Sequence, residues 1–213
     1  MDNQTKLKNA SREQVDLAKR VVKKDLPPYD RGIVTGVDVH YHGFLAFGCA
    51  VVIDVETLRP VQTVTLDREV QFDYIPGYLY LREGPIVLDL LKLLDVTGPV
   101  LIDGNGVLHP RRLGLASYVG VVSNTQTIGV AKSLHIGTMG LRDGDEATIR
   151  DEDELIGMAV WLGKVKPVFV SVGNNITLST SVKIVKDCYV DGYPEPLRIA
   201  HRTAKSLALR GQD

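Results

Sequence analysis

Residues 32–70 read "GIVTGVDVHYHGFLAFGCAVVIDVETLRPVQTVTLDREV". Three runs rich in Val, Ile, Thr and Phe stand out, "GIVTGVDVH", "FLAFGCAVVID" and "PVQTVTLDREV", joined only by "YHG" and "VETLR". Such composition over such lengths reads as strand. Connections this short leave no room for a crossover helix, so the runs are expected to be antiparallel neighbours, a three-strand meander.

Upstream, "SREQVDLAKRVVKK" opens on the pair Ser11 and Gln14 with capping-box spacing and puts Val15, Ala18, Val21 and Val22 on one face. An amphipathic helix is expected at about 11–25, closed by Pro27 and Pro28. Downstream, "YIPGYLYLREGP" (74–85) leads into a helix reaching about Leu94, and "PVLIDG" reads as a short buried strand. "RRLGLASYVGVV" (111–122) reads as a helix, and "TIGVA", "LIGMAVWLG" and "PVFVSV" as further strands of parallel type. The polar span 140–154 is expected as a loop or solvated hairpin. Thr177 caps a helix through "LSTSVKIVKDCY", and "EPLRIAHRTAKSLAL" forms the last one, entered through Pro194 and Pro196. The sum is an α/β fold: a mixed sheet with an antiparallel meander plus parallel strands, flanked by helices. Its order of elements is similar to that of ribonuclease-H-like folds.

With 213 residues and 44% hydrophobic content, the chain suits one domain over 1–213. Net charge is -1 and the pI about 6.5, which excludes a globally basic nucleic-acid binder; a polyanion site must be a local patch. Cys49 and Cys188 have neither disulfide-framework nor metal-ligand spacing and read as core thiols in a reducing compartment. The N-terminal residues lack an apolar signal core, and nowhere do about 18 apolar residues run together. A soluble cytoplasmic protein with no membrane partner is expected.

Four polar residues break the patterns around them. Glu83 falls in the apolar stripe Leu79, Ile86, Leu90 and Leu93 or Leu94, where a bare carboxylate costs several kcal/mol or more. Asp38 shares a strand face with Val34, Gly36 and His40, and alone reads as a solvent-facing charge. Asp103 ends the run Val100-Leu101-Ile102 before Gly104, and alone reads as a turn former. His201 joins Leu197, Ala204 and Ala208 on the inward stripe of the last helix, where a lone histidine is usually a hydrogen-bonded core residue. If first strand, following helix, fourth strand and last helix converge, three carboxylates and an imidazole meet. Two carboxylates about 4 Å apart repel by roughly 4 kcal/mol at an effective dielectric of about 20, and a divalent cation removes that penalty. All-oxygen ligands suit Mg²⁺, with Mn²⁺ as a substitute, better than zinc. An Mg²⁺ site with open positions is suited to phosphodiester hydrolysis.

At these residues the sequence resembles the endonuclease V family, nucleases that act at inosine in nucleic acids. The resemblance rests on "GVDVHY", "YIPGYLYLREGP", "DGNGVLHPRRLGLAS", "TIGVAKS" and "PEPLRIAH", in the family's order between about residues 36 and 201. It implies a ribonuclease-H-like, Mg²⁺-dependent hydrolase cutting the second phosphodiester bond 3′ of deoxyinosine or inosine, leaving a 3′-hydroxyl and a 5′-phosphate, in repair of deaminated adenine. By motif match Asp38, Glu83 and Asp103 hold the metal, His201 is the catalytic histidine and Lys132 stabilises charge at the scissile phosphate. Tyr74, Ile75 and Pro76 match the wedge that fills the space of an extruded base. Gly77, Leu79, Gly104 and Leu115 match the base pocket.

"HPRR" supplies a local basic patch, with His109, Arg111 and Arg112 as candidate phosphate contacts. Two departures from the family pattern, Asn105 and Tyr118 where histidine is common, bear on substrate preference. The partner that the resemblance implies is inosine-containing DNA, or RNA, and a monomer is expected to meet it. Two other readings stay open: an inosine- or structure-binding module without turnover, and a nuclease of the same fold with another specificity. "YIPG" separates the last from the first, because a wedge is needed only where a base is extruded.

Overall fold

The computed structural model describes residues 3–163 and 165–210 of the domain expected over 1–213. Helix α1 spans Asn3–Ala18, not 11–25. Ser11 and Gln14 do not cap it: the Ser11 hydroxyl lies 2.7 Å from the Tyr78 hydroxyl, and Gln14 donates to the Leu113 carbonyl at 2.8 Å. Beyond Ala18 the Val21 amide closes a last turn on the Ala18 carbonyl at 3.2 Å, and the Val22 amide bonds the Asn174 side chain at 2.9 Å instead of continuing the helix.

Strands β1 (Ile33–His42), β2 (Leu45–Asp54) and β3 (Pro60–Glu69) form the antiparallel meander that their short links predict. Helix α2 (Leu79–Lys92) returns the chain to β4 (Val100–Asp103), which pairs parallel with β1. Helix α3 spans Leu115–Ser123 and leads to β5 (Thr127–Ala131), parallel to β4. The helix expected from residue 111 starts late because Arg112 is left-handed (φ 55°) and Gly114 extended.

Next come β6 (Thr138–Met139), β7 (Glu146–Asp151), β8 (Glu154–Val160) and β9 (Val168–Asn174). The parallel reading of 155–163 and 167–172 is overturned: β9 lies antiparallel to β5, and β8 antiparallel to β9 across a link too short for a crossover. The polar span 140–154 is a hairpin arm with one face buried through Ala147 and Ile149. Helix α4 (Leu178–Asp187) is capped by the Thr177 hydroxyl, which accepts from the Thr180 amide at 3.2 Å. A small hairpin of β10 (Tyr189–Val190) and β11 (Tyr193–Pro194) delivers α5 (Glu195–Arg210). The sheet order is β3-β2-β1-β4-β5-β9-β8-β7-β6.

Alternation along the central strands feeds two apolar layers. Val34, Leu101 and Ile128 face α4 and α5 through Ile184, Leu197, Ala200 and Ala204. Val37, Val100 and Ile102 face α2 and α3 through Ile86, Leu90 and Val119. Helix α5 sits on β1 backbone to backbone: a Cβ at Gly36 would lie 2.3 Å from the Pro196 carbonyl carbon and 2.6 Å from the Leu197 nitrogen. Only glycine admits that approach. Among the described residues no helix is long and apolar enough to cross a membrane.

Candidate active site

Parallel pairing of β1 with β4 matches Val37 to Ile102, so Asp38 and Asp103 stand level on neighbouring strands. Both follow the face that packs α5. Asp38 Oδ2 is 2.8 Å from His201 Nδ1. Lys132, just beyond β5, donates to Asp103 Oδ2 at 2.5 Å and holds its ammonium 4.9 Å from the Tyr193 ring centroid. Glu83 arrives from α2 and accepts a 2.9 Å hydrogen bond from Tyr41, whose ring lies under the Arg82 guanidinium. The structure therefore brings Asp38, Glu83, Asp103, Lys132 and His201 to one end of the sheet.

The electrostatics are those of crowded acids. Burial pushes Glu83 up to about 8, and Asp38 and Asp103 add to the rise against the Tyr41 hydrogen bond. Burial, and then the Asp103 charge, raise Asp38, opposed by His201 and Lys132. Among the described residues, no three His, Cys, Asp or Glu side chains are close enough to ligate one ion as they stand. Each carboxylate instead holds a donor of its own. The donor set nevertheless fits a hard divalent cation, being all carboxylate and electrostatically frustrated without one.

A cavity of about 500 Å³ adjoins the acids on the β4–β5 side, and Leu79, Gly104, Leu115, Gly77, Tyr74 and Pro76 all line it. Gly104 (φ 151°) leaves open the space where a Cβ would meet Leu115 and Leu79 at 3.7–3.9 Å. Tyr74 is 63% exposed. Ile75 does not line the cavity; its carbonyl takes the Tyr78 amide and tightens the turn into α2.

Residues 15–202 match the sequence profile of the Endonuclease V family. The chain belongs to the endonuclease V family. Endonuclease V of Thermofilum pendens is 39% identical over 206 residues, 95% of this chain and 89% of that one. The crystal structure of Ciona intestinalis endonuclease V with a 24mer DNA containing an inosine followed by a ribo-adenosine superposes with a TM-score of 0.90 at 30% identity, covering 99% of this chain and 100% of that one. Endonuclease V from Streptomyces avermitilis gives 0.88 at 36% identity, covering 97% and 94%. The ribonuclease-H-like expectation holds, and the family's enzymes are hydrolases that cleave nucleic acid 3′ to inosine.

In this endonuclease V the "HPRR" side chains each hold partners within the protein. His109 is buried, which pushes it down to about 4 and keeps it neutral; one ring nitrogen accepts from the Arg111 amide and the other faces the Gly77 carbonyl. Arg111 donates to that same carbonyl and to Gln14, both at 2.6 Å, and stacks on Tyr78. Arg112 is spent on Asp151 and Glu154, both at 2.7 Å. His109 and Arg111 line the cavity, and Arg112 ties the adjoining segment to Asp151 of β7 and Glu154 of β8.

His201 also departs from expectation. The inward stripe of α5 is Leu197, Ala200, Ala204 and Ala208, and His201 stands at its rim with its side chain 42% exposed. Of the two family departures, Asn105 lines the cavity, whereas Tyr118 fills the space over Gly84 and against Tyr80. Tyr118 is thus a packing residue. Sequence reasoning missed Tyr41, whose strand parity points away from Asp38, and Tyr193, whose buried hydroxyl sits near Asp103 and Asp38. The one available signal was that both tyrosines fall inside or beside family blocks.

Proposed function

We propose that this endonuclease V, with Mg²⁺ or Mn²⁺ bound, hydrolyses the second phosphodiester bond 3′ of deoxyinosine, or of inosine in RNA, leaving a 3′-hydroxyl and a 5′-phosphate. The observation that carries the reading is adjacency: Asp103 and Lys132 line the same cavity as Leu79, Gly104 and Leu115, and the charges of Asp103 and Asp38 act on Glu83. Asp38, Glu83 and Asp103 hold the cation, which supplies Lewis acidity toward the phosphate. Lys132 leaves Asp103 for the scissile phosphate and offsets its developing charge. His201 fixes the Asp38 carboxylate and is placed to carry a proton at the same edge. Tyr74 and Pro76, on the turn that Ile75 and Gly77 shape, fill the gap in the base stack while the purine occupies the cavity. We take the enzyme to act as a monomer, and the buried free thiols Cys49 and Cys188 suit the cytoplasm.

The test is incubation with Mg²⁺ and matched DNA and RNA strands, with and without one inosine, followed by mapping of the cut. A cut one nucleotide beyond the inosine supports the reading. Tight binding without cutting, or cutting indifferent to inosine, overturns it.

A further inference from the structure

Helix α5 and strand β1 run side by side in matched steps. Gly36 abuts Leu197, and Asp38 meets His201 four helix residues later. Two strand residues advance about 6.6 Å, and four helix residues about 6 Å, so the next level pairs His40 with Lys205. The His40 ring stands edge-on to His201 with centroids 6.0 Å apart, and burial first, then the charge of His201 and last that of Lys205, disfavour its proton against Asp38.

The cations near the cavity and the acids are already engaged: Lys132 by Asp103, Arg112 by Asp151 and Glu154, Arg111 by Gln14 and Gly77, and Arg198 by Glu195. Lys205 is different. It is exposed and makes no ion pair or hydrogen bond among the described residues. His40 is half-buried beside it and likewise makes no hydrogen bond there. The base cavity lies on the β4–β5 side of the carboxylates, and this pair lies on the opposite, β1–α5 side. A strand with its purine in the cavity and its scissile phosphate at the acids would, if it ran on across the sheet in the same direction, pass over His40 and Lys205.

We propose that His40 and Lys205 form a subsite for the phosphate immediately 3′ of the cleaved one, holding the product strand that keeps the 5′-phosphate. The inference rests on the function proposed above. Lys205 supplies the charge and His40 a ring nitrogen donor, a pairing suited to a phosphodiester oxygen and indifferent to base identity.

The test is a double-substitution cycle on the full chain, read by equilibrium binding without added metal and by cleavage with Mg²⁺. The probe is an inosine strand carrying one uncharged methylphosphonate at the phosphate after the cut. With the ordinary strand, Lys205→Ala weakens binding roughly tenfold, and lowers the slope of log affinity against log salt by about 0.7. With the methylphosphonate strand the same substitution costs little, and Lys205→Arg restores binding to the ordinary strand. Equal losses on both strands, or none on either, overturn the subsite. Lys205 is exposed and unpaired, so its removal does not threaten folding. Wild-type cutting at inosine with no coupling in the cycle removes the subsite and leaves the nuclease reading intact. Coupling without any cutting removes the nuclease reading and leaves the subsite.

Discussion

His201 Nδ1 lies 2.8 Å from Asp38 Oδ2, and the contact closes α5 onto β1. The hydrogen bond favours the ionised form of an acid that burial and Asp103 push the other way. It therefore keeps Asp38 ready to bind a cation. Asp38→Ala should abolish cutting while inosine strands still bind. His201→Ala should lower kcat about a hundredfold or more with KM near wild type. Single-turnover kinetics decide it, and an active Asp38→Ala protein would end the metal assignment.

Glu83 gives a pH dependence of definite sign. In the folded chain it keeps its proton to about 8, against an ordinary value of 4.5. Between those values the folded state binds more protons than the unfolded state, so stability falls as pH rises through this window. Asp38, also raised, acts in the same sense. In chelator the Tm should drop from about pH 5 to about pH 8, and Glu83→Gln should flatten that drop. Mg²⁺ should raise Tm most at the alkaline end, where its ligands are ionised. An equal pH slope for wild type and Glu83→Gln in chelator would refute the account.

Tyr74 projects into solvent beside the cavity, so Tyr74→Ala should leave Tm unchanged. Stacking on a base is worth about 1–3 kcal/mol, and the loss should appear as lower preference for inosine strands over matched controls, with metal dependence untouched. Selectivity equal to wild type would remove the wedge role.

Arg112 should behave as a brace. Its two partly exposed ion pairs are worth about 1 kcal/mol together, so Arg112→Ala should lower Tm modestly. The salt dependence of strand binding should stay as in wild type. A slope reduced by about 0.7 would instead mean a phosphate contact.

Lys132→Ala should cost about 10²–10³ in kcat, with strand affinity nearly constant. Loss of affinity at constant kcat would place Lys132 among binding residues rather than at the reacting phosphate.

Local patterns carried much of this fold. Short links between β-branched runs left only an antiparallel meander, and an apolar run ending at Asp103 gave the fourth strand. Glu83, Asp38 and Asp103 were visible as breaks in apolar patterns, because burying an acid carries a cost that sequence makes conspicuous. Partnerships were hidden. That Arg112 is spent on Asp151 and Glu154, or that Tyr41 bonds Glu83, depends on tertiary neighbours far apart in sequence. The α1 boundary misled for a related reason: Ser11 and Gln14 have capping spacing but bond Tyr78 and Leu113. On α5 the expected stripe through Leu197, Ala204 and Ala208 is the buried one, but Ala200 completes it and His201 lies at its rim, a choice between adjacent positions that periodicity alone does not make.

The seat of α5 on Gly36 fixes the order in which the acidic cluster can assemble. His201 and Asp38 stand 163 positions apart in the chain, so their contact can form only once α5 has docked on β1.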